Sequence, residues 1–237
     1  MKQINLKCEV CGEGGSSVFC ALAGSHLAKF EQEKIEHKYE KGQVIFYEGS
    51  PSYAVHYICS GLVKLYKIGP KGEELIVKLI GPGEITGYRS LLAGEPCAAT
   101  AQALEPTTIC TISKQTFIEL LKQSPDLALR LLSKMAKDLR EAEEQSISLA
   151  QESVRQRTAH LLLFLIHGTT EKAKPNGPVK IQVKRKDMAQ MIGTSPESLS
   201  RTLNELVKKG ILRLTRSEIY IQNLSALQRI APESNLT

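Results

Sequence analysis

The stretch "KRKDMAQMIGTSPESLSRTLNELVKKG", Lys184 to Gly210, holds two short amphipathic helical patterns joined by a glycine turn. In the second, Leu199, Leu203, Leu206 and Val207 fall on one apolar stripe at helical spacing. Ser195 is placed to cap this helix, and Pro196 suits its first turn. The opposite face carries Glu197, Ser198, Ser200, Arg201 and Asn204 near the helix start. Those side chains suit a major-groove reader: arginine offers two parallel donors to guanine, and glutamate accepts from the cytosine amino group. A helix N-terminus also suits a phosphate, which brings Ser195 beside the nucleic-acid backbone. Lys184, Arg185 and Lys186, just before the first helix, would add affinity without specificity. The competing reading is a charged solvent face on a helix pair used for protein contacts.

Charge distribution favours the nucleic-acid reading. From Gln151 to the end there are 14 Lys and Arg against 7 Asp and Glu, whereas the first 150 residues hold 17 against 18. A basic segment joined to a nearly neutral one fits a polyanion-binding module carried by something else. A length of 237 residues suits two modest domains. No apolar run approaches the roughly 18 residues of a membrane span, and the start, MKQINLKCEVCGEGG, lacks a signal-peptide core, so a cytoplasmic location is expected.

Between these ends the pattern changes. "GSHLAKFEQEKIEHKYEKG" reads as a short helix leading to a turn at Lys41-Gly42. Short β-prone runs follow to about Ser113, with Gly49, Gly61, Gly72 and Gly83 at hairpin positions, which predicts a compact antiparallel barrel or jelly roll. Helical pattern returns at "SKQTFIELLKQ", and Ser124-Pro125-Asp126 starts a long helix. Within it Ala128, Leu132, Met135, Leu139, Ala142, Ser146 and Leu149 recur at alternating steps of four and three, a heptad stripe that predicts a homodimer seam. Packing against the chain's own barrel would use a similar stripe. Beyond a Pro/Asn/Gly loop from Lys172 to Lys180, a β-run "VKIQV" precedes the helix pair, "GILRLTRSEIYIQN" reads as a two-stranded wing, and "LSALQRIA" as a closing helix.

A neutral barrel, a long dimer helix and a basic winged helix, in that order, resemble the Crp/Fnr family of bacterial transcription regulators. The resemblance runs from about Phe30 to Ile230 and is sharpest in "GTSPESLSRTLNELVKKGIL". It implies an α+β chain: an N-terminal arm at 1–29, a cyclic-nucleotide-binding-like jelly roll at 30–123, a dimerisation helix at 124–152 and a winged helix-turn-helix at 153–237. Glu197-Ser198-Leu199-Ser200-Arg201 is similar to the Glu-x-x-Ser-Arg of the oxygen-sensing Fnr branch. By that likeness Glu197, Ser200 and Arg201 would read palindromic double-stranded DNA with TTGAT-like half-sites, and RNA polymerase would be a partner. Pro196 stands where that branch often has an aliphatic residue.

The same resemblance bears on the signal. Tyr88 takes the place of the family's ribose-binding glutamate, Cys97-Ala98 that of its phosphate-binding Arg-Ser pair, and Arg89 is displaced from it. Binding of cyclic AMP in the usual manner is therefore not expected, because a buried phosphate demands a compensating charge; Tyr88 and Arg89 remain candidates for another barrel ligand. Cys8, Cys11 and Cys20 form C-x2-C-x8-C, a gathering of thiols that suits an iron–sulfur cluster. The Fnr resemblance puts Cys110 in the fourth position of a 4Fe-4S site, although the interval before Cys20 is longer than in the best-known members. Zinc binding or thiol redox chemistry of the trio, and an unrelated barrel ligand such as haem on His26, His37 or His56, are the other readings. Cys59 reads as a small core residue. No Ser/His/Asp set, P-loop or HExxH motif is present, and no enzyme activity is expected.

Overall fold

The computed structural model describes residues 17–70, 72–167, 179–181, 184–215 and 218–231, so Cys8 and Cys11 lie outside the described residues. Its contacts divide the chain into two compact units, the division falling between Arg140 and Glu141 with Pro70–Ile76 counted in the second.

The first unit is a jelly roll. Two four-stranded antiparallel sheets form it, one ordered β1 (Ile35–Tyr39), β8 (Thr107–Ser113), β3 (Ala54–Ser60), β6 (Ile85–Thr86), the other β2 (Val44–Phe46), β7 (Thr100–Ala103), β4 (Val63–Ile68), β5 (Glu74–Ile80). Side chains alternate along β3 and β8, as the pleat requires. Ile58 and Ile109 point inward and meet Val63, Ile80 and Ala101 of the other sheet. Val55, Tyr57, Cys110 and Ile112 point outward and are covered by helices. Those covers are a 3-10 turn (Val18–Ala21) with α1 (Gly24–Glu33), α2 (Tyr88–Ala93), α3 (Lys114–Gln123) and the start of α4 (Pro125–Gln151). Phe19 wedges between Phe30 and Tyr57, with ring centroids 4.6 and 5.7 Å apart.

Two elements differ from the sequence reading. Residues Ile35–Tyr39, expected at the end of a helix, form β1, paired with β8 from Ile35↔Thr111 to Tyr39↔Thr107. Its residues are almost all exposed, so it lacks the apolar alternation that marks a half-buried strand. Tyr88–Ala93, set among β-runs, is helical because Gly87 and Gly94 bracket it at positive φ. At Gly87, with φ +87°, an added Cβ would stand 2.9 Å from the Ala54 carbonyl, so the close approach of chain to β3 requires glycine.

His56 lies inside the sandwich, its Nδ1 3.1 Å from Thr111 Oγ1 and its ring stacked on Phe46 at 5.2 Å. Burial first, then the charge of His37, pushes its pKa down to about 4. An unfolded chain protonates this imidazole near pH 6.5, so its contribution to stability is complete above that pH and is lost as pH falls toward about 4. Melting temperatures taken across that window should fall in the native protein and fall less in His56→Gln.

The second unit is a winged helix-turn-helix. A three-stranded sheet ordered β10 (Leu212–Leu214), β11 (Ile219–Ile221), β9 (Val179–Ile181) stands beside α5 (Val154–His167), α6 (Arg185–Met191), α7 (Pro196–Lys208) and α8 (Leu224–Ile230). Ala159, Leu162, Met188, Leu199, Leu203, Leu206 and Leu227 fill its core. No helix of the described residues is long and apolar enough to cross a membrane.

Candidate nucleic-acid interface

Helix α7 is fixed at both ends by local chemistry. The Ser195 hydroxyl accepts from the Ser198 N–H at 3.2 Å, and Pro196 occupies the first turn. At the other end Gly210, φ +68°, donates to the Val207 carbonyl at 2.9 Å while Ile211 N–H reaches the Leu206 carbonyl at 3.0 Å. That double closure is a Schellman cap, and Leu206 and Ile211 are both in the core beneath it. Leu199, Leu203 and Leu206 are fully buried, so the roll of the helix about its axis is set. Val207, expected on this stripe, is exposed; Thr202 takes the inner position, its hydroxyl donating to the Ser198 carbonyl at 3.1 Å. Changing Ser195 to Ala should cost about 0.5–2 kcal/mol, read as a lower denaturation midpoint of the second unit.

Glu197, Arg201 and Asn204 are exposed on the outer face, with Ser200 half-buried beside them. Glu197's own backbone N–H, then the Ser195 hydroxyl and the charge of Arg201 hold its carboxyl below the usual range. It is therefore an ionised acceptor next to an arginine donor, one turn apart. Lys184 and Lys186 are exposed and Arg185 half-buried at the start of α6. Gly193, φ +59°, turns the chain between the two helices, and the Thr194 N–H closes on the Ala189 carbonyl at 3.0 Å.

Arg157 was not evident from the sequence. Its Nε donates to the Ile192 carbonyl at 2.9 Å, and its Nη1 to the carbonyls of Glu152 at 2.6 Å and Leu149 at 3.3 Å. One guanidinium thus joins the end of α4 to the turn that sets α7. No local pattern announces it, because its partners are backbone oxygens from two separate segments. In the wing, Arg213 stacks over the Tyr220 ring at 4.4 Å.

Tyr88 is buried at the start of α2 and its hydroxyl donates to the Asp138 carboxylate on α4. Lys78 pairs with the same carboxylate, and Lys134 reaches it at 3.1 Å and Glu84 at 3.6 Å. Burial alone would raise the Asp138 pKa, but these donors and charges bring it below the usual range. Arg89 is exposed. Cys97 is buried, with its backbone paired to Gly49 and Ser50 at 2.8 Å each.

Cys110 is buried at the centre of β8, opposite Tyr57, in the same apolar cluster as Val18 and Phe19, which precede Cys20. Cys59, expected to be a simple core residue, is half-buried at a register shift in β3, and its thiol donates to Cys110 Sγ at 3.0 Å. That hydrogen bond, aided by the Lys34 charge, holds Cys110 below the usual thiol range despite burial, and with burial it pushes Cys59 up. Among the described residues no three His, Cys, Asp or Glu side chains converge as a metal site.

Of the long-helix residues, Leu132, Leu139 and Ala142 are exposed, while Met135 is half-buried against the cluster that includes Leu127 and Leu131. Leu149 is half-buried in the second unit, where a Cβ added to Gly193 would lie 2.8 Å from its Cδ2.

A jelly roll followed by a winged helix-turn-helix is the architecture of a DNA-binding transcription regulator. Residues 36–124 match the cyclic nucleotide-binding domain and residues 156–230 the Crp-like helix-turn-helix domain. The chain belongs to the Crp/Fnr family of transcription regulators. It is 31% identical over 220 residues to the cyclic AMP receptor protein of Thermus thermophilus, covering 92% of this chain and 97% of that protein. It is 26% identical over 192 residues to the fumarate and nitrate reduction regulatory protein of Escherichia coli, covering 81% of this chain and 76% of that one. A solved CRP/FNR-family transcriptional regulator of Thermus thermophilus superimposes with a TM-score of 0.69 at 26% identity, covering 83% of this chain and 98% of the other.

Proposed function

We propose that the protein is a homodimer that reads a palindromic site through α7 and answers a redox or gas signal. Glu197, Ser200 and Arg201 are the base readers, for TTGAT-like half-sites as in the Fnr branch. Lys184, Arg185, Lys186 and Ser195 hold the phosphates, and RNA polymerase is the downstream partner. The observation that carries this reading is the exposed Glu197–Arg201 pair on a helix whose inner face and both ends are fixed. Specific readout needs such a rigid platform. Residues 1–29 serve as the signal-binding arm, 30–123 as the sensor, 124–152 as the dimer helix and 153–237 as the reader.

For the signal, Cys8, Cys11, Cys20 and Cys110 are proposed to hold a 4Fe-4S cluster. In support, the 3-10 turn bearing Cys20 packs into the apolar cluster that contains Cys110, so two of the four thiols lie on adjoining elements. When bound, the cluster supplies a group destroyed by oxygen or nitric oxide. The apolar cluster around Cys110 also includes Leu127 and Leu131 of α4, so repacking there reaches the dimer helix and shifts the population of dimers with correctly spaced readers. Cyclic AMP is disfavoured because Tyr88, which replaces the ribose-binding acid, commits its hydroxyl to Asp138.

Purification without oxygen tests the signal. A broad absorption near ~400 nm with about four irons and four sulfides per chain, bleached by air, is the expected result. Colourless, iron-free protein after anaerobic reconstitution would sink the cluster and move the search to thiol or zinc chemistry, or to a ligand of the barrel.

A further inference from the structure

We infer that Cys59 and Cys110 are a cross-strand redox pair that a small hydroperoxide converts to an intramolecular disulfide. The inference goes beyond the proposed cluster, since Cys59 has no part in that site and the N-terminal thiols have none in this one.

The pairing follows from a defect in the sheet. Along β3 and β8 the partners run Tyr57↔Cys110 and Ile58↔Ile109, but then Ser60↔Thr108, so Cys59 is the extra residue of a bulge. A bulged residue has no ladder partner, and the local bend re-aims its side chain. Here it is aimed at Cys110, with the two Sγ atoms 3.0 Å apart. A disulfide needs about 2.05 Å, so an approach of roughly 1 Å by side-chain rotation closes it. Both thiols are on the helix-facing side of the sheet, Cys110 in the cluster and Cys59 at its margin.

In the proposed sequence Cys110 is the attacking sulfur and Cys59, which donates the hydrogen bond between them, the resolving one. Cys110 Sγ displaces one oxygen of ROOH: an S–O bond forms, the O–O bond breaks, and ROH leaves with the proton of Cys110. Cys59 Sγ then attacks Cys110 Sγ, expelling hydroxide, which takes the proton of Cys59 and leaves as water. Two thiols are oxidised by two electrons, and one hydroperoxide is reduced to ROH and water. The oxidised chain has no Cys110 thiolate left to bind metal, and the change arises in the apolar cluster shared with Leu127 and Leu131 of α4.

The test uses the full chain with Cys8, Cys11 and Cys20 changed to Ser, so that no cluster can form and no N-terminal thiol competes. After hydrogen peroxide, free thiols are alkylated and the peptides mapped by mass spectrometry. A Cys59–Cys110 cross-linked peptide, lighter by two hydrogens and abolished by dithiothreitol, is expected. In the further variant Cys59→Ser, Cys110 should instead gain two or three oxygens irreversibly. Recovery of both thiols alkylated, or equal oxidation of Cys110 with and without Cys59, overturns the pair. Colourless native protein would overturn the cluster alone and leave this result untouched.

Discussion

Replacing Leu132 and Leu139 together by Glu should yield a folded monomer that no longer binds a palindromic site tightly. Helix α4 has two apolar faces. Leu127 and Leu131 are buried in the first unit, whereas Leu132 and Leu139 are 60% and 62% exposed, and Leu129 is exposed as well. Burying a leucine contributes about 1.5–3 kcal/mol, and two-fold symmetry counts each position twice. A two-fold seam on this face would therefore contribute on the order of 6–12 kcal/mol before association costs, and four facing carboxylates would remove most of it. Because both leucines are largely exposed in their own chain, the melting of the monomer should change little. Sedimentation equilibrium reads the outcome, and an unaltered dimer would rule out this face as the seam. Changing Met135 should act differently, lowering stability as well, since it packs against the first unit's own cluster.

Arg201→Ala should weaken binding to a TTGAT-type palindrome by about 1–3 kcal/mol per half-site, roughly a five- to 150-fold loss for each, and relax preference at one base pair of each half-site. Its guanidinium is exposed on the face that the buried leucines turn outward, one turn from the Glu197 carboxylate. Glu197→Ala should relax a second base pair. Lys186→Ala should weaken all sequences alike and lower the salt dependence by about two units of slope, one for each half-site of the proposed dimer. Gel shifts at several salt concentrations distinguish the three. Equal losses on specific and random DNA for Arg201→Ala would mean that it meets phosphate, and no loss at all would return the helix pair to a protein-contact role.

Much of this architecture is legible in the residues. The capped start at Ser195-Pro196, the leucine spacing of α7 and the glycines at positions 49, 61, 72 and 83, all with positive φ, are local signals. They stand because the chemistry involved spans only a few residues. Strand β1 is not legible: an edge strand exposed on nearly every residue carries no alternation to read. Nor is the outward position of Val207, because Thr202 satisfies its hydroxyl within the helix and so can be buried in its place.

The heptad stripe shows the limit clearly. Spacing groups Leu132, Met135 and Leu139, but only packing separates Met135, turned toward the sheet-covering cluster, from its two exposed neighbours. The sequence by itself determined the order of the elements, the rigid ends of α7 and which side chains that helix turns outward. Tertiary structure alone decided the ties of Tyr88 to Asp138, of Arg157 to three backbone carbonyls and of Cys59 to Cys110. Each of these joins groups from separate elements, and a hydrogen bond depends on ångström-scale approach, which spacing along one segment cannot encode.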